Sequence, residues 1–198
     1  AYRAAELLQK KYNIEKGVRI KIVKRIPVGA GLGGGSSNAA AVLMGLNKLW
    51  KLRLSAEKLA QLAKKLGSDV PFFVYNTSFA LGRGRGELIK PLPALRKAKL
   101  WHILVVPRIK VSTPCIYEQW DRFRIGEYRG FKGKSGEKSG NVQELTKKGF
   151  NVNILLYGLQ KADLPLLNEN MYNGLERVTS ALFPVVHLVK KRLLDAGI

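Results

Sequence analysis

The chain is poor in the side chains from which many metal and redox sites are built. It has one cysteine, Cys115, and two histidines, His102 and His187, which lie far apart in the sequence. A single thiol cannot form an internal disulfide and is too little for a cysteine-based zinc site. Each histidine lies in an apolar run, where a structural role is commoner than ligation. We therefore expect no metal site made of protein side chains.

Acidic residues are also scarce, since 14 Asp and Glu stand against 35 Lys and Arg, for a net charge of +21. A charge of this size attracts polyanions such as nucleic acid, anionic lipid or a polyphosphate substrate. The basic residues are spread along the whole chain, and lysine-rich surfaces also accompany growth at high temperature. The even spread favours a solvated surface over a dedicated nucleic-acid interface.

Long apolar runs are missing as well. No run approaches the roughly 20 residues of a membrane span, and no charged-then-apolar leader precedes a cleavage site. We expect a soluble, cytosolic protein with no membrane association. A length of 198 residues and a hydrophobic content of 46% suit one domain or two small ones with a packed core.

Glycine, by contrast, is concentrated in one place. Five glycines fall within seven residues between Val28 and Ser36, after the alternating run 18–23 and before an alanine-rich run that predicts a helix opening at Ser36 and Ser37. Such a loop can turn its N–H groups into one space, and the helix terminus adds unpaired N–H groups and the positive end of the helix dipole. The composition predicts an anion site. A glycine-rich turn without a ligand is the alternative, since the stretch matches neither a Walker loop nor a dinucleotide fingerprint.

Periodicity predicts a chain of mixed helices and strands. Amphipathic helices are expected at 1–12, 36–50, 55–66 after a Ser55 N-cap, from Thr113-Pro114 onward, and within 173–198. Strands are expected at 18–23, at 78–81 and at the apolar run 101–106, which we place in the interior of a sheet. Residues 129–140 predict a flexible surface loop, and 151–159 are ambiguous between helix and strand.

Two turns carry polar side chains that invite a functional interpretation. Asp69 stands directly before Val-Pro-Phe-Phe, where we expect apolar surroundings that make an unpartnered carboxylate costly. It is either a helix cap or a functional acid. The turn Gly82-Arg83-Gly84-Arg85-Gly86-Glu87 suits phosphate or RNA contact, and equally a hairpin turn with two solvated arginines.

Several segments in order resemble the GHMP kinases, which phosphorylate small alcohols. The matching segments are 27–37, Gly67-Ser68-Asp69-Val70-Pro71-Phe72-Phe73, 82–87, Val111-Ser112-Thr113-Pro114 and Asn173-Gly174-Leu175-Glu176. The triple glycine followed by Ser36-Ser37 is most similar to the branch that phosphorylates the 2-hydroxyl of 4-diphosphocytidyl-2-C-methyl-D-erythritol in non-mevalonate isoprenoid synthesis. Together the matches extend over about residues 20 to 198.

The resemblance implies an α+β fold in two lobes. Residues 1–90 would form the ATP-binding N-terminal lobe, similar to the second domain of a small-subunit ribosomal protein, without its first strands. Residues 91–198 would form a ferredoxin-like α/β C-terminal lobe without its final segment. The family's catalytic lysine and its Gly-Tyr-His segment are not in this sequence, so the resemblance implies an incomplete fold and low or no kinase activity for these 198 residues alone.

The resemblance also implies a set of site residues, with ATP and Mg²⁺ as cofactors. Asp69 would orient or deprotonate the substrate hydroxyl. The cytidyl diphosphate alcohol would lie against Gly84, Arg85, Gly86, Thr113 and Tyr117, with the Tyr117 ring stacked on cytosine. The ATP phosphates would be bound by Pro27, Val28, Gly29, Ala30, Gly31, Leu32, Gly33, Gly34, Gly35, Ser36 and Ser37.

Two other functions stay open on the sequence. One is a GHMP kinase for a different small alcohol, such as homoserine or a mevalonate derivative. The other is a basic nucleic-acid-binding module, which the charge of +21 and the Gly-Arg turn favour. Under the leading interpretation we expect a small-molecule partner, no nucleic acid, and a monomer or homodimer.

Overall fold

A computed structural model describes residues 1–95, 98–109, 111–124 and 151–197. The chain divides into two compact units, Ala1–Ala98 and Lys99–Ile198. The first unit contains α1 (Tyr2–Tyr12), α2 (Gly34–Leu49), α3 (Ala56–Ala63), α4 (Val70–Val74), β1 (Ala80–Arg83), β2 (Leu88–Pro91) and a 3-10 turn (Pro93–Leu95). The second contains α5 (Thr113–Arg124), α6 (Val152–Lys161), α7 (Leu164–Asn170), α8 (Glu176–Leu182) and α9 (Pro184–Asp195).

The four helices of the first unit pack around one apolar cluster. Leu8 of α1 and Leu43 of α2 are fully buried in it, and burying a leucine stabilises the fold by about 1.5–3 kcal/mol. Six alanines also belong to this cluster, where their small side chains let the helices approach closely: Ala4, Ala5, Ala39, Ala40, Ala60 and Ala63. This core fixes α2 and α4, the two helices that carry the predicted site.

Polar side chains set the turn between α2 and α3. The Asn47 side chain donates to the carbonyl of Leu54 and accepts from its N–H, both at 3.0 Å. The Ser55 hydroxyl then accepts from Lys58 N at 3.3 Å, which confirms the predicted N-cap. The helix and its start could be predicted because both signals are local.

The turn 82–87 closes a two-stranded antiparallel hairpin, as one of its two interpretations predicted. Ala80 pairs with Pro91 and Gly82 with Ile89. Gly84 and Gly86 have φ of 69° and 95°, a backbone conformation that glycine adopts without strain. Glu87 Oε2 accepts the N–H of Arg85 at 2.7 Å, so the carboxylate holds the turn closed.

Two of the predicted strands are wrong. Residues 18–23 and 101–106 are neither strand nor helix, and Val23 and Trp101 are 69% and 98% exposed. Alternation or apolarity shows which face of a strand would be buried, but a strand forms only where a neighbour pairs with its backbone. Among the described residues the sheet consists of β1 and β2, so neither segment has a pairing partner there.

The regular elements described in the second unit are all helices. Asn151 accepts from Asn153 N at 3.0 Å and begins α6, so the ambiguous stretch 151–159 is helix. Gly158 of α6 lies against α7, since a Cβ on it would lie 3.0 Å from Leu167 Cδ2. Lys190 of α9 pairs with Glu176 of α8, within the helical region predicted at 173–198. The loop predicted at 129–140 lies outside the described residues.

Candidate active site

The glycine loop, defined as residues 27–35, leads from an extended segment into α2. Gly29, Gly31 and Gly33 have φ of 75°, 71° and 64°, and a side chain in this left-handed region would cost about 1–2 kcal/mol. Gly33 holds the N-cap position, so α2 begins at Gly34. The predicted start at Ser36 is therefore two residues late, because a glycine cap has no side-chain signal. Most of the loop is exposed to solvent.

The start of α2 presents unpaired hydrogen-bond donors. The first hydrogen bond along this helix runs from Ser37 N to Gly33 O at 2.9 Å, so the N–H groups of Gly34, Gly35 and Ser36 precede the intrahelical ladder. The Ser37 hydroxyl donates to Gly34 O at 3.0 Å. These N–H groups and the positive end of the helix dipole create a site for an anion.

A lysine that the sequence analysis did not select lies at the same helix end. Lys24 Nζ is 3.2 Å from where a Cβ on Gly34 would stand, so its ammonium group adjoins the backbone at the first turn of α2. Its charge adds to the helix dipole at this point. The only signal in the sequence is a basic residue shortly before the loop, and in a chain with 35 Lys and Arg that signal is too common to be used.

Asp69 occupies the N-cap position of α4 but does not cap it. Its backbone is helical, with φ −82° and ψ −18°, and its side chain makes no capping hydrogen bond. The carboxylate is exposed, so the expectation of apolar surroundings is wrong. Instead Val70 and Pro71, which follow it, are buried and anchor the start of α4. The helix-cap interpretation is therefore not realised, and the carboxylate is open to solvent.

A contact between α4 and the glycine loop links the helix that begins after Asp69 to the anion site. A Cβ on Gly33 would lie 2.9 Å from Phe73 Cζ and 3.1 Å from Phe73 Cε2, so the ring packs directly on the loop. Asp69 and Phe73 are four residues apart in helical backbone, which places their Cβ atoms about 5–6 Å from each other on one face. The exposed carboxylate therefore lies about one helical turn from the side chain that contacts the anion site.

The other predicted site residues lie in two separate places. Gly84, Arg85 and Gly86 are at the tip of the hairpin in the first unit, and Arg85 lines a groove together with Ser68, the neighbour of Asp69. Thr113 and Tyr117 are one turn apart on α5 in the second unit, and both are exposed, Tyr117 by 54%. Their roles toward a substrate stay predictions. In the part of the chain that the structure describes, no group of three metal-ligating side chains occurs and no helix is long and apolar enough to cross a membrane.

Comparison with known proteins identifies the class of protein that this loop and helix define. Residues 1–77, which hold α1 to α4 and the glycine loop, match the GHMP kinases N terminal domain. The chain therefore contains a GHMP kinase N-terminal domain, as the resemblance predicted.

Two similar proteins carry the same enzyme name. The chain is 39% identical over 197 residues to the 4-diphosphocytidyl-2-C-methyl-D-erythritol kinase of Lactiplantibacillus plantarum, covering 100% of this chain and 60% of the relative. It is 42% identical over 197 residues to the enzyme of the same name from Shouchella clausii, covering 100% of this chain and 58% of the relative. The chain thus spans less than two thirds of the length of these relatives.

A solved structure of a kinase with an equivalent name has a similar fold. The crystal structure of a 4-(cytidine 5'-diphospho)-2C-methyl-D-erythritol kinase superposes with a TM-score of 0.65 at 32% sequence identity, over 100% of this chain and 62% of that one. The fold is therefore the predicted α+β GHMP kinase fold, of which this chain covers a part.

Proposed function

We propose that the protein is an ATP-dependent kinase that phosphorylates the 2-hydroxyl of 4-diphosphocytidyl-2-C-methyl-D-erythritol. The observation that supports this proposal is the Phe73–Gly33 contact, since Phe73 lies on the short helix that begins after the exposed Asp69 and packs on the loop before the helix terminus suited to phosphate. The names of relatives about 40% identical over the whole chain support the choice of substrate. The cytosolic location and the monomeric or dimeric state stay predictions.

In the proposed reaction the chain mainly positions charge. The N–H groups of Gly34, Gly35 and Ser36, with the Lys24 ammonium, would hold the phosphates of ATP. The substrate 2-hydroxyl oxygen attacks the γ-phosphorus, the bond to the β–γ bridging oxygen breaks, and ADP leaves. Asp69 takes the hydroxyl proton. Positioning and neutralisation of charge supply most of the catalysis in phosphoryl transfer.

Mg²⁺ is the metal that this chemistry implies, because it neutralises phosphate charge when bound with ATP. The donors near the loop fit it, since magnesium prefers oxygen and keeps several waters while taking one or two carboxylates. Ser36 offers a hydroxyl at the helix start, whereas the Asp69 carboxylate is needed as the proton acceptor. We assign no further metal ligand.

The cytidyl side of the substrate is assigned to the remaining predicted residues. Tyr117 has an exposed ring, as stacking on a base requires, and Thr113 lies one turn before it. The hairpin tip, residues 84–86, supplies backbone N–H groups and the Arg85 guanidinium for the diphosphate.

The test is Asp69→Asn in the full-length protein, with phosphorylation of the cytidyl alcohol as the assay. Loss of a general base reduces turnover by about 10²–10⁴-fold, whereas ATP affinity should stay within about twofold because the loop is unchanged. Asp163→Asn is the matched control, since Asn retains the cap that Asp163 forms with Leu166 N. Turnover in Asp69→Asn equal to that of the control would exclude Asp69 from the mechanism.

A nucleic-acid-binding module is the second candidate, favoured by the net charge of +21 and by the exposed Arg83 and Arg85. RNA binding with a steep salt dependence, unchanged when Gly33 to Gly35 are replaced, would favour it. Kinase activity lost on the same replacements would favour the enzyme.

A further inference from the structure

A second basic site lies beside the candidate active site in the first unit. A groove of about 250 Å³ is lined by six residues, namely Lys64, Lys65, Leu66, Gly67, Ser68 and Arg85. Three of them carry a positive charge, and Ser68 directly precedes Asp69. We call these six residues the basic groove.

The fold brings the three charges together from two segments. Lys64 and Lys65 follow the end of α3, and Arg85 comes from the hairpin tip about 20 positions later. Within the described ranges none of the three makes an ion pair. Like charges repel, so grouping three of them without ion-pair partners is unfavourable unless an anion binds there.

The Glu87 carboxylate lies near the groove, and its hydrogen-bonding capacity is largely used elsewhere. Glu87 accepts N–H bonds from its own backbone and from Arg85, and these bonds are the main reason that its pKa lies below the usual value. The charges of Arg85 and Lys64 lower the pKa further, and both residues line the groove. Asp69, the exposed residue after Ser68, is a second carboxylate beside the groove, so three cations against two carboxylates leave an excess of one positive charge.

The size and donors of the groove suit a particular anion. Its volume of about 250 Å³ leaves room for a diphosphate group, since a single water needs only about 10–15 Å³ on the same measure. Each lysine offers three N–H donors and the arginine five in a planar fork that matches phosphate oxygens. The Ser68 hydroxyl, which donates to no other group in the described part of the chain, adds a neutral donor.

We propose that the basic groove is an oxyanion site separate from the glycine loop, and that it binds a diphosphate group through Lys64, Lys65, Ser68 and Arg85. This inference deepens the proposed function and rests on it for the link to catalysis, because a diphosphate bound next to Ser68 lies one residue from Asp69. The diphosphate is either that of the nucleotide-linked alcohol substrate or free inorganic diphosphate.

The binding test is a ¹H–¹⁵N NMR titration of the full chain with inorganic pyrophosphate at constant ionic strength. The variant is Lys64→Ala/Lys65→Ala. The control is Lys48→Ala/Lys58→Ala, which removes the same charge from exposed positions, and Lys48 also lies in the last turn of its helix. The control thereby accounts for net charge and for the helix-end position of the groove lysines.

In the wild type, the amides of Gly67 and Ser68 should shift and saturate. Their apparent Kd should rise about 5- to 20-fold in the groove variant and less than twofold in the control, while the Kd read from Gly34 and Gly35 stays the same. An equal rise in both variants, or no shift at Ser68, would overturn the proposal, because binding would then follow overall charge.

Kinetics on the full-length protein separate the two sources of diphosphate. If the groove serves the substrate, the groove variant raises KM for the cytidyl diphosphate alcohol and leaves KM for ATP unchanged. If it serves free diphosphate, only the pyrophosphate Kd changes, and the site still stands. A wild-type protein that phosphorylates no cytidyl alcohol would refute the proposed function while the NMR titration still decides the groove.

Discussion

Replacing Gly33 with alanine tests the contact on which the site geometry depends. Two costs combine at this residue, because φ is 64° and a Cβ would lie 2.9 Å from Phe73 Cζ. Left-handed backbone costs about 1–2 kcal/mol for alanine, and forcing a methyl group against a packed ring costs about 1–3 kcal/mol more. We expect Gly33→Ala to destabilise the first unit by about 2–5 kcal/mol.

Two neighbouring glycines separate these costs. Gly31 has φ of 71° with no atom within 4 Å of a built Cβ, so Gly31→Ala should show the backbone cost alone, about 1–2 kcal/mol. Gly35 lies inside α2 with open space beside it, so Gly35→Ala should stabilise by about 0.5–1 kcal/mol. The three variants therefore differ in sign as well as in size.

The assay is urea-dependent hydrogen exchange at the Leu43 amide, which reports unfolding of the first unit because Leu43 is fully buried there. Gly33→Ala/Phe73→Leu should recover part of the loss, and a double-mutant cycle measures the coupling. If Gly33→Ala and Gly31→Ala destabilise equally and the cycle shows no coupling, Phe73 does not pack on the loop and the placement of Asp69 is refuted.

Three further outcomes are expected. Leu43→Ala should lower the free energy of urea unfolding by about 2–5 kcal/mol. Leu49→Ala, at a position 63% exposed, should change it by less than about 0.5 kcal/mol. Equal effects of the two substitutions would contradict the placement of Leu43 in the core. The pKa of Glu87 lies below its ordinary value of 4.5, so the carboxylate stabilises the hairpin above pH 4.5 and loses this effect as the pH falls through the lower pKa of the folded state. A pH titration of the Arg85 amide should therefore show a midpoint below 4.5, and a midpoint above 4.5 would contradict this reasoning. Tyr117→Ala should raise KM for the cytidyl alcohol about 5- to 50-fold and leave KM for ATP unchanged; equal changes in both would remove Tyr117 from base recognition.

Helices were predictable from the sequence where their signals are local. Ser55 and the apolar spacing after it define α3, and Leu43 and Leu46 mark the buried face of α2. Strands were less predictable, because alternation in 18–23 describes a face and says nothing about a pairing partner. The start of α2 was misplaced since Gly33 caps it without a side chain.

The candidate site residues were selected mainly through family resemblance. Asp69 was selected in that way, although its exposure was not expected. Contacts between separate segments could not be predicted from the sequence, because no local pattern links Gly33 to Phe73, Lys24 to Gly34, or Lys64 to Arg85. Each of these pairs depends on how the four helices and the hairpin pack in three dimensions.

The central claim is that the glycine loop and Asp69 together transfer a phosphoryl group to an alcohol. The measurement is ³¹P NMR of the full-length protein incubated with ATP, Mg²⁺ and 4-diphosphocytidyl-2-C-methyl-D-erythritol. We predict ADP and a new phosphomonoester on the 2-oxygen, formed by the wild type and lost in Asp69→Asn. No phosphomonoester from the wild type, or one formed equally by Asp69→Asn, would contradict the claim.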